Sequence, residues 1–364
     1  MSRLVAHVTC ALCGHKAGNL VPHLESDHSD VSLESYMEQN GGDISCVIHP
    51  AVLAKTEGGV MASEKVMVAG VELRRRNCAA DLKNLVPKVD ENYFFQELTE
   101  DVVMDLEVEN PARPVMLIGH TGTGKTSLFQ QIAARMKQPL LRVNLNHQTT
   151  ISDFVGMWGV KAGETYWIDG VLPYAMKKGL WLVLDEIDFA DPAILSVING
   201  VLEPGEGLCL KEKGSEVVEA HPNFRLCATA NAVGALAEYR ALYQGTNIMN
   251  EAFLNRWECY VVPYMPEDAE AKVLEKSIPM MPMTVSKELV KVANAVRKAF
   301  EEETVRCTFS TRMLLDWGRK IIRHRKHREQ APFKAAESVI FSKIAREDAM
   351  AIKGFMQRIL LGRD

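Results

Sequence analysis

The chain has 364 residues, 47% of them hydrophobic and 24% charged, with a formal net charge of −5. These values are ordinary for a globular protein with room for more than one domain, and they exclude a whole-protein field that would draw the chain to nucleic acid or anionic lipid. No apolar run reaches the roughly eighteen residues of a membrane span, and residues 1–7 lack the apolar core of a signal peptide. No membrane partner is therefore expected, and the expected location is the cytoplasm.

Residues 1–40 read as a separate small unit. Cys10-x₂-Cys13 is followed by His23-x₄-His28. Two thiolates and two imidazoles at such spacing suit a tetrahedral Zn²⁺ site. A unit this short buries little core, so a metal clip supplies what packing cannot. The order Cys10, Cys13, Gly14, Leu20, His23, Leu24, His28, Glu34, Tyr36 resembles the short zinc fingers of Ros/MucR-type bacterial regulators. Between the ligands Lys16 is the one basic residue besides histidine, and Glu25 and Asp27 are acidic. That composition disfavours a strong grip on phosphates, so a structural or protein-docking finger is expected. The other cysteines, Cys46, Cys78, Cys209, Cys227, Cys259 and Cys307, read as reduced packing residues.

Residues 41–85 read as a linker, broken at Gly41-Gly42 and Gly58-Gly59, with a strand over Val66 to Leu73. Pro87 biases Val86 toward an extended conformation, and a helix is expected from Glu97 to Glu107.

From 86 to 265 apolar strands alternate with helical runs, which predicts a mainly parallel sheet wrapped by helices. Strands are expected at Val115 to Ile118, Leu140 to Leu145, Trp181 to Leu184 and Phe224 to Ala230. The first runs into Gly119-His120-Thr121-Gly122-Thr123-Gly124-Lys125-Thr126, and a helix-forming run follows. This is the strand, glycine loop and helix of a phosphate-binding loop. Its backbone N–H groups and helix N-terminus cradle phosphate oxygens, Lys125 reaches the β- and γ-phosphates, and the Thr126 hydroxyl can ligate Mg²⁺. Two interruptions read as hairpins, Gly163 to Gly170 and Gly207 to Phe224 with a turn at Lys213-Gly214. Residues 266–364 are helical, with apolar residues at three-and-four spacing over Ser286 to Thr304, Arg312 to Lys326 and Ala331 to Leu361. The basic run from Arg319 to Arg328 reads as a solvated face more readily than as a contact for a phosphate or an acidic partner.

Ligands of open α/β sheets bind beyond the carboxyl ends of strands. Lys125, Asp185, Glu186 and Asn231 would gather there. Transfer of a phosphoryl group needs positioning and charge neutralisation. Asp185 can hold Mg²⁺, Glu186 can polarise the attacking water, and Asn231 can orient it. A guanidinium is still required, and Arg256 and Arg312 follow in order.

Residues 86–320 resemble the MoxR-like AAA+ ATPases, within them the ATPase subunits of aerobic cobaltochelatases. The matching stretches are Val86-Pro87-x-Val89-Asp90-x-x-Tyr93, Gly119 to Thr126, Arg142-Val143-Asn144-Leu145, Asp153-x-Val155-Gly156 and Asp169-Gly170-x-Leu172-Pro173. They continue with Asp185-Glu186-x-Asp188, Ala228-Thr229-Ala230-Asn231, Leu242-Tyr243-x-Gly245-Thr246, Asn250, Arg256-Trp257 and Ser310-x-Arg312. The resemblance implies an AAA+ α/β domain at 86–265 with a helical lid at 266–364. It implies a hexameric ring holding ATP between subunits, with Arg256 reaching across as a finger and Arg312 as a second sensor. It also implies a remodelled partner protein, of von Willebrand A type, with cobalt insertion as one version of the task. Asn255 stands where the family usually has aspartate, and the finger at 1–40 is foreign to the chelatase subunit. A nucleic-acid-binding ATPase using that finger is the alternative, disfavoured by the acidic composition.

Overall fold

The computed structural model describes residues 8–13, 16–17, 20, 24, 28, 36, 65–75, 78–108, 113–203, 207–234, 236–238, 243 and 245–362. It divides into two compact units, Met1–Glu64 and Lys65–Asp364.

In the first unit, β1 (Val8–Thr9) pairs antiparallel with β2 (Lys16–Ala17) around the turn that carries Cys10 and Cys13. The Leu24 amide donates to the Leu20 carbonyl and the His28 amide to the Leu24 carbonyl, the i to i−4 pattern of a helix. Leu20, Leu24 and Tyr36 are buried, and the Tyr36 hydroxyl accepts from the Ala11 amide at 2.7 Å. His23 lies outside the described residues.

The second unit opens with β3 (Lys65–Val68) and β4 (Val71–Arg74). The single strand expected over 66–73 is thus a hairpin, because Ala69 and Gly70 both take positive φ and turn the chain. The helix expected at 97–107 is α1 (Thr99–Val103) running on into a π turn, Met104–Val108.

The central sheet is five-stranded and wholly parallel, as the alternation of strands and helices predicts. Its strands are β5 (Val115–Ile118), β6 (Leu140–Asn144), β9 (Trp181–Asp185), β12 (Arg225–Ala230) and β13 (Glu258–Val261), in spatial order β13-β5-β12-β9-β6. The edge strand β13 has no counterpart in the sequence reading; its alternating exposure leaves too short an apolar signal. Side chains alternate between the two faces of the sheet. Val115, Leu117, Trp181, Val183 and Cys227 pack under α2 (Lys125–Met136). Met116, Ile118, Leu182, Leu184, Leu226 and Ala228 pack against α4 (Val171–Lys178) and α5 (Pro192–Leu202). Between β6 and α4, the short α3 (Ile151–Val155) leads into the first hairpin.

That hairpin begins earlier than its glycines suggest, as β7 (Gly156–Lys161) and β8 (Glu164–Asp169) turning at Ala162-Gly163. The second is β10 (Leu208–Leu210) with β11 (Glu216–Val218), turning through Gly214. The Trp158 indole N–H, on the first, donates to the Glu212 carbonyl on the second.

After α6 (Glu251–Leu254) and β13, the chain forms a helical region with its own core. It comprises α7 (Glu267–Ser277), α8 (Met283–Glu301), α9 (Thr311–Arg323), α10 (Ala331–Val339) and α11 (Arg346–Leu361). The expected run from Ala331 to Leu361 is broken by a 3-10 turn at Phe341–Lys343. No described helix is long and apolar enough to cross a membrane.

Candidate functional site

At the carboxyl ends of β5, β9 and β12 lies a cavity of about 410 Å³, walled on its far side by α9. The loop between β5 and α2 forms its floor. Gly122 and Gly124 take φ of +83° and +95°, a left-handed backbone that side chains resist. Gly124 is the N-cap of α2 and provides no side chain to bond the first helical amides. Those amides have no acceptor within the helix, so the loop presents bare N–H donors at a positive helix end.

Lys125 is buried, and its ammonium donates to three neutral oxygens: the carbonyls of Gly119 (2.6 Å) and His120 (3.0 Å) and Asn231 Oδ1 (3.0 Å). Among the described residues it has no ion pair. Burial lowers its pKa to about 8, although the carboxylates of Asp188, Asp185 and Glu186 pull the other way. A buried cation beside unfilled donors, without a counter-ion in contact, fits a polyphosphate.

Thr126 Oγ1 donates to Asp185 Oδ1 at 2.7 Å, which leaves the hydroxyl oxygen's lone pairs for a cation. Asp185 also accepts from the Thr229 hydroxyl and from Arg142, whose Nε lies 2.8 Å from Oδ2. Burial pushes the Asp185 carboxyl up, but these hydrogen bonds and the guanidinium outweigh it and hold the group below the ordinary carboxylate range. Glu186, the next residue, is held at φ 57° with its amide donating to Thr229 Oγ1. Its own carboxyl is exposed on the cavity wall, and burial of the site together with the charges of Asp185 and Asp188 raises its pKa. Two adjacent carboxyls thus move in opposite directions, one fixed as an anion and one better able to take a proton.

Asp188 closes the motif Asp185-Glu186-x-Asp188. It is fully buried, and its Oδ2 accepts from the amides of Asn231 (2.9 Å) and Ala232 (3.3 Å). It therefore fixes the turn that presents Asn231. Gly119, His120 and Thr123 lie behind the loop and do not line the cavity. His120 packs against Tyr243, Tyr264 and Phe300, and its Nδ1 is 2.9 Å from the Tyr243 hydroxyl. Thr121 does line the cavity. Burial lowers the His120 pKa, with Lys125 adding to the effect, which favours the neutral ring.

The two arginines part company. Arg312, in the first turn of α9, is exposed on the cavity wall and bonds no described residue. Arg256 is absent from the wall; its guanidinium donates to Glu203 Oε1 at 2.6 Å and to the Ala252 carbonyl at 2.7 Å. Among the further wall residues that the motifs did not place at the site are Arg142, Leu315 and, at the head of the basic run, Arg319. The last two follow Arg312 at helical spacing, a signal that a helical wheel of α9 contains.

In the first unit the ligand atoms of Cys10, Cys13 and His28 lie within 4.8 Å of one another. Two thiols and an imidazole so placed can hold a Zn²⁺ ion, with one corner of the tetrahedron left to a fourth ligand.

The chain matches the AAA domain of the dynein-related subfamily over residues 114–256 and the CbbQ/NirQ/NorQ C-terminal domain over 270–353. It is 35% identical over 242 residues to the aerobic cobaltochelatase subunit CobS of a Sinorhizobium species, spanning 64% of this chain and 71% of that protein. At that identity and coverage the chain belongs to the family of this cobaltochelatase subunit. It is an AAA+ ATPase of the CobS and NorQ type. Its similarity to the protein NorQ of Paracoccus denitrificans is 33% over 143 residues, spanning 39% of this chain and 52% of NorQ. Its similarity to midasin of Dictyostelium discoideum is 33% over 170 residues, spanning 46% of this chain and 3% of midasin. The AAA match begins at Pro114, just before β5, and ends at Arg256, so it carries the glycine loop, Asp185, Glu186, Asn231 and the outlying arginine together.

Proposed function

We propose that this AAA+ protein is a ring motor that hydrolyses ATP to ADP and phosphate at the cavity and uses the cycle to remodel a partner protein. The observation that supports it most is Lys125, a buried ammonium among neutral oxygens at the mouth of an uncapped helix.

In this reading the loop Gly119 to Thr126 holds the phosphates, with Lys125 on the β- and γ-oxygens. Thr126 and Asp185 would hold Mg²⁺, which when bound neutralises charge on the phosphates. Glu186 takes the proton of the attacking water as that water adds to the γ-phosphorus and the bond to the β-phosphate oxygen breaks. Asn231 orients the water, held in place by the Asp188 carboxylate behind it. Arg312 stabilises charge on the γ-phosphate from the lid. Arg256, away from the cavity of its own chain, serves the neighbouring subunit of a hexamer.

The test is Glu186→Gln. The variant should bind Mg·ATP as the parent does and lose about 10²–10⁴ in turnover; unchanged hydrolysis refutes the base assignment.

The partner is a von Willebrand A-type protein, and the relative named as an aerobic cobaltochelatase subunit supports cobalt insertion as one form of the task. Co-purification of such a partner only in the presence of ATP tests this; binding that ignores nucleotide argues against remodelling. The first unit is a zinc finger in which His23 completes Cys10, Cys13 and His28. Metal analysis of the full chain should find about one zinc per chain, and less than about half would remove the finger. Low-salt binding to duplex DNA, abolished by Cys10→Ser, would instead favour the nucleic-acid reading.

A further inference from the structure

The helical region contains one ion pair withdrawn almost wholly from water. Glu270, on α7, is 0% exposed and Arg297, on α8, is 4% exposed. They meet in a two-pronged arrangement, Nη1 to Oε2 at 2.7 Å and Nη2 to Oε1 at 2.8 Å. Such a pair is weak support for stability as such, because desolvation offsets most of the Coulomb gain. Its remaining hydrogen bonds suggest a different use. Arg297 Nε donates to the Phe309 carbonyl at 2.8 Å. Glu270 Oε1 accepts from the Thr311 hydroxyl at 2.7 Å. Between those two anchor points stands Ser310, whose Oγ accepts from the Met313 amide and caps α9. The three residues that precede Arg312 are therefore each tied, two of them to this ion pair.

The same pair reaches the phosphate loop. The Arg297 guanidinium lies 4.0 Å over the Tyr264 ring. The Tyr264 hydroxyl donates to the Thr121 carbonyl at 3.0 Å and is 2.6 Å from Thr308 Oγ1, which can donate to it. Gly122 abuts Ser310 so closely that a Cβ there would overlap the serine side chain. The start of α9 and the tip of the loop are thus referenced to one rigid group.

We propose that Glu270 and Arg297, acting through Thr311 and the Phe309 carbonyl, are positioning residues that set the Arg312 guanidinium against the nucleotide's terminal phosphate. This rests on the reading of the cavity as the ATP site. Arg312 bonds no described residue, so its place depends on the backbone that carries it. A misplacement of about an ångström can cost roughly a hundredfold in rate.

The experiment is a double-mutant cycle on the full chain, reading kcat and KM for ATP together with ADP affinity. Arg312→Ala should lower turnover by about a hundredfold, the scale of losing one preorganised donor to developing charge. Glu270→Gln keeps the shape but not the charge; it should lower kcat about tenfold, part of the cost of a misplaced group, with ADP affinity unchanged. In the Arg312→Ala background Glu270→Gln should cost nothing further. Should Glu270→Gln fail to fold, Thr311→Val replaces it, leaving the ion pair intact, and Thr311→Ser should restore the parent rate. Equal losses in both backgrounds, or a parent-like Glu270→Gln, would overturn the proposal. A parent-like Arg312→Ala would overturn it too, while leaving the ATPase reading standing on the hydrolysis of the parent. A parent that neither binds nor hydrolyses ATP would instead refute the reading of the site.

Discussion

Two buried cations in this chain are handled in opposite ways. At the carboxyl end of the sheet, Lys125 faces three neutral oxygens and its pKa falls to about 8. In the helical region, Arg297 is matched by a carboxylate, two further oxygens and an aromatic face. The first arrangement is costly alone and becomes favourable when an anion arrives. The second is complete and gains nothing from a ligand. An under-satisfied charge marks where something binds, and a fully satisfied one marks what holds the binding groups in place.

The sharpest way to break this contrast is to remove each charge. Lys125→Met should abolish ATP turnover and weaken Mg·ATP binding by about a hundredfold, the loss of one charged hydrogen bond of about 3 kcal/mol. The same change should raise the unfolding midpoint of the free protein, because up to about 3 kcal/mol of ammonium desolvation is relieved. Arg297→Met should do the reverse and destabilise by about 3–5 kcal/mol, since it leaves Glu270 buried and unpaired. Thermal unfolding of the two variants without nucleotide checks the opposite signs; two shifts of the same sign would end the comparison.

The joint between the regions is the next target. Gly122→Ala places a methyl group against Ser310 and strains a left-handed backbone, so a destabilisation of about 1–3 kcal/mol is expected, with a larger loss of ATP than of ADP affinity. Denaturant unfolding and two nucleotide titrations measure it.

A smaller effect follows from pH. In the free protein Lys125 titrates near pH 8, depressed from its unfolded value of 10.5. The unfolded state therefore holds more protons between those values, and this residue's burden on stability is relieved as pH rises through that window. A bound polyphosphate raises the pKa again, so binding takes up a proton. ATP affinity should fall as pH rises above about 8, by up to tenfold per unit, and the dependence should vanish in Lys125→Met. Calorimetry in two buffers of different ionisation heat reads the proton directly.

The same contrast explains what the sequence could show. Parallel register places residues by position: Asn144 stands beside Asp185 and Ala228 beside Leu184, so Thr229 falls next to Asp185. Local motifs ending each strand therefore converge without further information, and Lys125, Asp185, Glu186 and Asn231 were legible. The tyrosine at 264, Glu270, Arg297 and Thr311 come from separate helices and linkers. Their pairing depends on how α7, α8 and α9 pack, which no short pattern records. Arg256 was visible as a motif, yet its own chain ties it to Glu203, away from the cavity. The hairpin at 156–169 and the strand at 258–261 escaped full reading for a simpler reason, since half-exposed strands carry little apolar signal.

The central proposal is that the site at the strand ends is completed by a second copy of the chain. It is tested most directly by mixing two inactive variants, Lys125→Ala, which keeps its Arg256, and Arg256→Ala, which keeps its own phosphate loop. If the arginine is supplied across a subunit boundary, each variant alone should be slowed by about 10³ or more, and the mixture should recover measurable ATP hydrolysis. A mixture no faster than its components, or an Arg256→Ala protein as active as the parent, would contradict it.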